Sequence, residues 1–324
     1  MVIKTMKKTL IVGLNNYPDG HKLYCCNNDA DKMSSMLADN EDGSPNFDVI
    51  TILGTCSKAE LSNGIEQLFS DDADVALLYF SGHGCSDDGG SICTTDLQLI
   101  SMNDIIRLAN SSRCKNKVII LDCCYAAKMG QHLLDDNVSV IGNGVTIIAG
   151  SQEWQSSMEM DTIQHGVFTY LLLEGLRGGA ADIAGNVTPA SLYSFVDQSL
   201  GAWQQRPVFK TNISQFMPIR IVKPKVEKDI LRRLPTYFNS PEAHYDLDPS
   251  YEFTNDPDCV HKVIEPYAVK ENICILKELQ KLTGVGLVRP VDKEHMYFAA
   301  MESGSCELTE LGKHYWHLAK DRRF

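Results

Sequence analysis

Short apolar segments alternate with helical stretches through the first 200 residues, and this alternation constrains the fold more than any other feature. The apolar segments are TLIVGL (9–14), VITIL (49–53), VALLYF (75–80), KVIIL (117–121) and VTIIAG (145–150). Continuous runs rich in β-branched residues are typical of strands covered on both faces. The helical stretches are 29–37, 58–69, 103–110, 166–176 and 189–200, the last with Thr188 as N-cap. The pattern predicts an α/β fold with a mostly parallel sheet and helices on both faces.

A domain boundary is predicted at the polar segment KPKVEKD (223–229), where the alternation stops, giving domains 1–222 and 223–324. Just before it, PVFKT (207–211) and MPIRIV (217–222) are predicted to form one or two closing strands. Beyond it, 272–282 is predicted as a helix, and GLVRPV (286–291) and MYFAAM (296–301) as two strands around the polar turn DKEH. With a closing helix in LTELGKHYWHLAKD (308–321), these elements suggest a small α+β, winged-helix-like module.

Composition excludes several classes of protein. No window approaches the roughly 20 apolar residues that a membrane-crossing helix needs, and TLIVGL is too short for a signal peptide. Eleven cysteines cannot all pair, and the chain has no CxxC pair and no cysteine–histidine spacing of zinc type. We therefore expect a reduced, cytoplasmic protein without structural metal or membrane contact.

Charge is distributed unevenly between the two predicted domains. Residues 1–222 carry 15 Lys and Arg against 25 Asp and Glu, a net charge of −10. Residues 223–324 carry 15 against 17, a net charge of −2. The acidic first domain argues against nucleic acid as a partner and favours basic substrates.

Chemically active side chains follow two of the predicted strands. SGHGCSDDGG comes after VALLYF, and DCCYAA comes after KVIIL, so a cysteine pair follows His83 by about 40 residues. Sites in parallel sheets form beyond the carboxyl ends of the strands, where neighbouring strand tips meet. Histidine can withdraw the proton of a thiol and then protonate a leaving amine. Each residue alone is more often structural, but together at one sheet edge they predict a catalytic site.

These motifs carry a resemblance to a known family. YFSGHG followed by ILDCCYA resembles the caspase-type cysteine peptidases, closest to the metacaspase, orthocaspase and paracaspase branch, over about residues 7–222. The Q-A-C-x-G signature of animal caspases is absent. Mapping the related pattern onto 122–125 makes Cys124 the nucleophile and His83 the base, with the N–H groups of Gly84 and Cys124 as oxyanion donors. Cys123 is predicted to pack inward, because neighbours along a strand alternate faces.

The same resemblance implies specificity for a basic residue before the cleaved bond. Alternation places Asp122 on the substrate side with Cys124. CNNDADKM matches the family's second carboxylate at Asp29, which also makes a plausible N-cap or first-turn acid for its helix. A third pocket residue is expected in AGSQEWQSSME, where Ser151 and Glu153 are candidates and Glu159 is a weaker one. The predicted partners are protein substrates cut after Arg or Lys.

Calcium is a minor alternative, because some metacaspases require it. The acidic pairs Asp87–Asp88 and Asp135–Asp136 lack the alternating spacing of a calcium loop, so we expect no cofactor. Lys128 and Arg177 are conceivable self-cleavage points, although nothing in the sequence marks them. A single uncut chain is expected to be competent.

The second predicted domain has no evident nucleophile or metal-ligand set, and we interpret it as a regulatory or sensor domain. By analogy with bacterial relatives, the protein is expected to be an antiphage or cell-death effector, activated through a nucleotide second messenger. The side chains available for a messenger phosphate are Arg232, Arg233, Lys262, Arg289, Arg322 and Arg323.

Three alternatives remain beside this reading. A pseudo-protease scaffold is disfavoured by the intact Cys–His pair. A nucleotide-binding α/β protein with a DNA-binding tail would need a glycine-rich phosphate loop, and GLNNYPDG has neither GxGxxG nor GK[ST]. A signal-responsive autoprotease with a nucleic-acid-binding C-terminal domain is the third.

Overall fold

The computed structural model describes residues 6–18, 20–70, 72–86, 89–129, 131–132, 135–150, 159–160, 165–200, 207–213, 217–258 and 263–323, with backbone alone at 127, 131–132, 135–139, 159–160 and 165. It divides the chain into two compact units, Met1–Lys223 and Pro224–Phe324. Within the described ranges, no helix combines the length and the apolar character needed to cross a membrane.

The N-terminal unit is built on one six-stranded sheet. Its strands are β1 (Lys7–Gly13), β2 (Asp48–Leu53), β3 (Val75–Ser81), β4 (Asn116–Asp122), β5 (Val145–Ala149) and β6 (Val208–Asn212). Their spatial order is β6-β5-β4-β3-β1-β2. All neighbours run parallel except β6, which is antiparallel to β5. The predicted mostly parallel α/β sheet is confirmed.

Helices cover the sheet on both faces. They are α1 (Cys26–Ala38), α2 (Lys58–Ser70), α3 (Met102–Ser111), α4 (Val167–Glu174) and α5 (Pro189–Ser199). One apolar cluster joins the sheet to α2 and α3, and a second joins it to α1, α4 and α5. Val12 belongs to the first cluster and Ile11 to the second, as alternation along a strand requires. The predicted N-cap is confirmed, since the Thr188 side chain accepts from the backbone N–H of Ser191.

Strand β2 departs from the expectation that all five apolar segments are covered on both faces. Its residues are exposed or half-buried, and Ile50 is 58% exposed. β2 is the edge strand beside β1, so neither of its faces is closed over as in the central strands β3 and β4. The apolar, β-branched sequence of β2 therefore predicted a strand correctly, but the prediction that both of its faces are covered was wrong.

Several shorter elements complete the described part of this unit. Gly84–Cys85, Ser91–Cys93 and Leu99–Ser101 form an antiparallel sheet directly after β3. The paired short strands are Gln131–His132 with Asp135–Ser139, Glu159–Met160 with His165–Gly166, and Asn186–Val187 with Arg220–Ile221. A 3₁₀ turn spans Ala126–Lys128, and a π-helical turn spans Gly175–Gly179.

The C-terminal unit mixes short helices with one antiparallel sheet. Its helices are α6 (Lys228–Arg232), α7 (Leu234–Tyr237), α8 (Lys270–Gly284), α9 (Met296–Met301) and α10 (Glu310–Lys320), with a 3₁₀ turn at Pro249–Tyr251. Its strands are β7 (His244–Asp246), β8 (Val288–Pro290) and β9 (Ser305–Leu308), in the order β7-β9-β8.

The prediction that MYFAAM is a strand was wrong, because this segment is the helix α9. Its residues are mostly methionine, alanine and aromatic, and methionine and alanine are strong helix formers. The strand β8 instead pairs with β9, and α9 lies between them in the chain. The two predicted helices, near 272–282 and 308–321, are present as α8 and α10.

Candidate active site

The tips of β3 and β4 lie side by side. The two strands pair in parallel register, with Ser81 opposite Asp122 at their ends. His83 and Cys124 each follow two residues later, so the same edge of the sheet presents both. The continuous apolar sequences of β3 and β4 account for this arrangement, because every residue of the two strands is buried.

The backbones of the two loops touch at Gly84. A methyl carbon at the Cβ position of this glycine would lie 2.1 Å from the carbonyl oxygen of Cys124 and 3.2 Å from Sγ of Cys123. No side chain fits in that space without moving the Cys124 loop. A glycine after the histidine is therefore required for the histidine and the cysteine to approach each other.

One nitrogen of the His83 imidazole, Nε2, is held by a main-chain group. Nε2 lies 2.7 Å from the carbonyl oxygen of His21. A carbonyl only accepts, so Nε2 carries the proton and donates it, and Nδ1 of the neutral ring is left as an acceptor. This contact orients the ring and selects the tautomer that can remove a proton through Nδ1.

Tyr17 fixes the backbone of the same histidine. Its hydroxyl accepts from the His83 N–H at 3.0 Å and donates to the Cys93 carbonyl at 2.8 Å. Its ring packs edge-on against the imidazole, with ring centroids 4.5 Å apart. Burial raises the pKa of Tyr17 far above its usual value, so the hydroxyl keeps its proton as a donor.

The two adjacent thiols have opposite environments. Cys123 is fully buried in the apolar cluster beneath the sheet, whereas Cys124 is half-buried. Burial, with a further contribution from the charge of Asp122, raises the pKa of the Cys123 thiol well above its usual value. Cys123 therefore packs inward, as expected, and remains protonated, while Cys124 is the thiol that a substrate can reach.

A strained turn follows Cys124 directly. Tyr125 has a φ of 60°, in the left-handed region that residues with a side chain rarely adopt. Such a conformation costs on the order of 1–3 kcal/mol and is common beside functional groups. The chain then enters the 3₁₀ turn Ala126–Lys128, so it bends away from the sheet just after the half-buried thiol.

Two buried carboxylates meet at the start of α4. Asp29 is only 1% exposed and Asp122 only 5%. A methyl carbon at the Cβ position of Gly166 would lie 2.9 Å from Oδ2 of Asp122 and 3.4 Å from Oδ2 of Asp29. The structure thus brings together the two acids that the sequence proposed, and Asp122 lies two residues before the half-buried Cys124.

Hydrogen-bond donors from α4 hold this acid pair. The backbone N–H of Gly166 donates to Oδ2 of Asp29 at 3.3 Å, and Oγ1 of Thr169 donates to Oδ2 of Asp122 at 2.7 Å. The hydroxyl of Tyr79 lies 2.6 Å from Oγ1 of Thr169. Sequence reasoning missed both residues: Tyr79 opens YFSGHG but was given no role there, Thr169 lies in no motif, and the two are 90 residues apart.

The remaining predicted site residues cannot be placed. Ser151 and Glu153 lie outside the described residues, as do Asp87 and Asp88. The side chains of Glu159, Asp135 and Asp136 are also outside the described part. Where side chains are described, no group of three or more His, Cys, Asp or Glu residues is arranged to hold a metal ion.

The arginines considered for a messenger phosphate mostly have acidic partners. Arg232 pairs with Asp229, Arg233 makes a two-point contact with Glu278, and Arg289 pairs with Glu307. Lys262 lies outside the described residues. These three arginines therefore do not form an open cationic pocket.

A family model described as a caspase domain matches residues 6–217, about two thirds of the chain. The chain belongs to the caspase-domain family of cysteine peptidases. The matched residues include His83, Cys124 and both buried acids, and they end before the C-terminal unit. No curated protein matches the chain.

Proposed function

We propose that this caspase-domain protein is an endopeptidase that cleaves proteins after Arg or Lys, with Cys124 as nucleophile and His83 as general base. The observation that supports the specificity is the pair of buried carboxylates, Asp29 and Asp122, around Gly166. Two like charges held close together away from water repel each other. A guanidinium or ammonium group relieves that repulsion, whereas an aspartate side chain would add a third negative charge.

In the first half of the reaction, Nδ1 of His83 takes the proton of the Cys124 thiol. The thiolate attacks the carbonyl carbon of the bound peptide, and the N–H groups of Gly84 and Cys124 donate to the oxyanion that forms. The imidazolium then gives its proton to the departing amine, leaving an acyl-thioester on Cys124. The His21 carbonyl stabilises the imidazolium through Nε2.

The second half releases the acid product. Nδ1 of His83 takes a proton from a water molecule, and the resulting hydroxide attacks the thioester carbon. The same two N–H groups stabilise the second oxyanion, and Cys124 leaves as thiolate and is reprotonated by His83. Fixing the ring at Nε2 keeps Nδ1 directed toward the reacting atoms in both halves.

Beyond the chemistry, we propose that residues 223–324 control the enzyme and that it belongs to the metacaspase-like branch. In this proposal the winged-helix-like second domain keeps the cytoplasmic protease inactive until it senses a signal, in antiphage defence or cell death. A nucleotide second messenger is the proposed signal, with neither nucleic acid nor membrane as partner. Ser151 and Glu153 remain the proposed third residues of the acidic pocket, and no metal is required.

The test is hydrolysis of a fluorogenic peptide library varied at the residue before the cleaved bond. The full chain is assayed beside Cys124→Ala and Cys123→Ala, with and without nucleotide messengers. We expect cleavage after Arg and Lys, lost by at least about 10⁴-fold in Cys124→Ala. The matched Cys123→Ala variant keeps the activity, because that thiol faces the core.

Each other outcome rejects a defined part of the proposal. Cleavage after Asp would reject the acidic pocket. Loss of activity only in Cys123→Ala would reject Cys124 as the nucleophile. Activity that is the same with and without every messenger would reject control by a nucleotide but not the proposed cleavage mechanism. No hydrolysis under any condition would favour a scaffold without peptidase activity.

A further inference from the structure

We propose that the first turn of α4 is the specificity-setting element of the acidic pocket, with Thr169 and Tyr79 as positioning residues for the carboxylate of Asp122. This inference rests on the proposed cleavage after basic residues. It adds that the preference for a cation depends on two hydroxyl groups that act through Asp122 and not through the substrate.

The direction of the hydrogen bonds follows from counting protons. A carboxylate only accepts, so the single hydroxyl proton of Thr169 goes to Oδ2 of Asp122. Oγ1 of Thr169 then has no proton left for Tyr79, and Tyr79 must be the donor in their contact. The result is an ordered relay of two hydroxyl groups, Tyr79 to Thr169 to Asp122.

Burial makes this relay effective. Tyr79 and Thr169 are both fully buried, so water does not compete for their hydroxyl groups. Burial, together with the charges of Asp29 and Asp122, raises the pKa of Tyr79 well above its usual value. The phenol therefore stays protonated and keeps its role as donor at the start of the relay.

The same turn of α4 also holds the other acid. Gly166 is the N-cap of α4, and its N–H donates to Asp29, while Thr169 lies three residues later and donates to Asp122. One rigid turn thus sets the positions of both carboxylates relative to each other. The N–H groups of a guanidinium have a planar, fixed geometry, so the positions of the two carboxylates determine how well it can bind them.

The test compares Arg with citrulline, its neutral near-isostere, at the residue before the cleaved bond. The full chain is assayed as wild type, Thr169→Val, Thr169→Ser and the double variant Tyr79→Phe/Thr169→Val. Valine keeps the shape of threonine but removes the donor to Asp122. The double variant also removes the Tyr79 hydroxyl, which valine alone would leave buried without its partner.

We expect Thr169→Val to lower kcat/KM for the Arg peptide by about tenfold to a hundredfold, the range for losing a hydrogen bond to a charged group. The loss appears mainly in KM, and kcat/KM for citrulline stays within about twofold of the wild type. Thr169→Ser restores the Arg preference because it restores the donor. The double variant recovers thermal stability but not the Arg preference, which separates positioning from folding.

Two results would overturn the relay while leaving the proposed function standing. One is wild-type cleavage of both the Arg and the citrulline peptide in Thr169→Val and in the double variant. The other is an equal loss for both peptides, which would indicate a structural role alone. A wild-type enzyme that cuts after citrulline as well as after Arg would instead overturn the basic specificity itself, and the relay with it.

Discussion

The candidate site has two sides that are built in different ways on opposite faces of the sheet. The histidine side consists of Tyr17, His21, His83 and Gly84, and the acid side consists of Asp29, Tyr79, Asp122, Gly166 and Thr169. Tyr17 packs in the apolar cluster shared with α2 and α3, whereas Tyr79 packs in the cluster shared with α1, α4 and α5. The tips of β3 and β4 separate the two sides.

The histidine side relies chiefly on main-chain groups. The His21 carbonyl orients the imidazole, the His83 N–H binds Tyr17, and Gly84 allows two backbones to touch. The acid side relies on hydroxyl side chains around two charges. We therefore expect changes on the histidine side to slow the cleavage of every substrate, and changes on the acid side to alter which substrate is cut.

The largest expected effect on the acid side comes from Asp122→Asn. Asparagine keeps the shape but removes a charge that is buried beside a substrate cation. Breaking a buried charge pair costs about 2–5 kcal/mol, so we expect kcat/KM for Arg peptides to fall by roughly 30-fold or more. Cleavage of citrulline peptides should stay nearly constant. An equal loss for both peptides would show that Asp122 serves the chemistry and that the two sides are not separate.

Gly84→Ala tests the histidine side. The added carbon would meet the Cys124 carbonyl oxygen at 2.1 Å, so the loop that carries the thiol must move. We expect kcat to fall by about 10²-fold for all peptides, as when one oxyanion donor is lost, with the order of preference unchanged. Gly284→Ala is the matched control, since nothing lies within 4 Å of its Cβ position. A changed preference in Gly84→Ala would contradict the division.

The smallest effect is expected from Tyr17→Phe. This variant keeps the ring beside His83 but removes the hydroxyl that binds the His83 N–H and the Cys93 carbonyl. Two lost hydrogen bonds of about 1 kcal/mol each predict up to a 30-fold loss of kcat, with KM unchanged. Wild-type kcat in this variant would mean that the His21 contact alone positions the ring.

The histidine side was the easier one to predict from sequence. Continuous apolar runs fix β3 and β4 as neighbouring parallel strands, and parallel register then brings SGHG and DCCY together. The pattern of alternating faces also separated Cys123 from Cys124. Alternation shows only that the two thiols face opposite sides, and the family resemblance then selected Cys124 as the nucleophile.

The acid side could be predicted only in part. Asp29 and Asp122 lie in recognisable patterns, but the groups that hold them could not be recognised. Tyr79 opens the YFSGHG motif without a role assigned by it, and Gly166 and Thr169 lie in a distant segment with no motif. The link between Tyr79 and Thr169 depends on how α4 docks onto the sheet, which the sequence of neither segment encodes. In the C-terminal unit, MYFAAM was predicted as a strand but forms a helix, because so short an apolar run does not distinguish the two.

The contact between His83 and the His21 carbonyl has a consequence for mutational tolerance. Every amino acid supplies the same carbonyl, so substitution at position 21 cannot delete the group that orients the imidazole. Only a change in the path of the 20–24 backbone can remove it. The carbonyl contact therefore places no requirement on which residue occupies position 21, and only the edge-on packing of the His21 ring against the His83 ring, with centroids 6.3 Å apart, depends on the side chain.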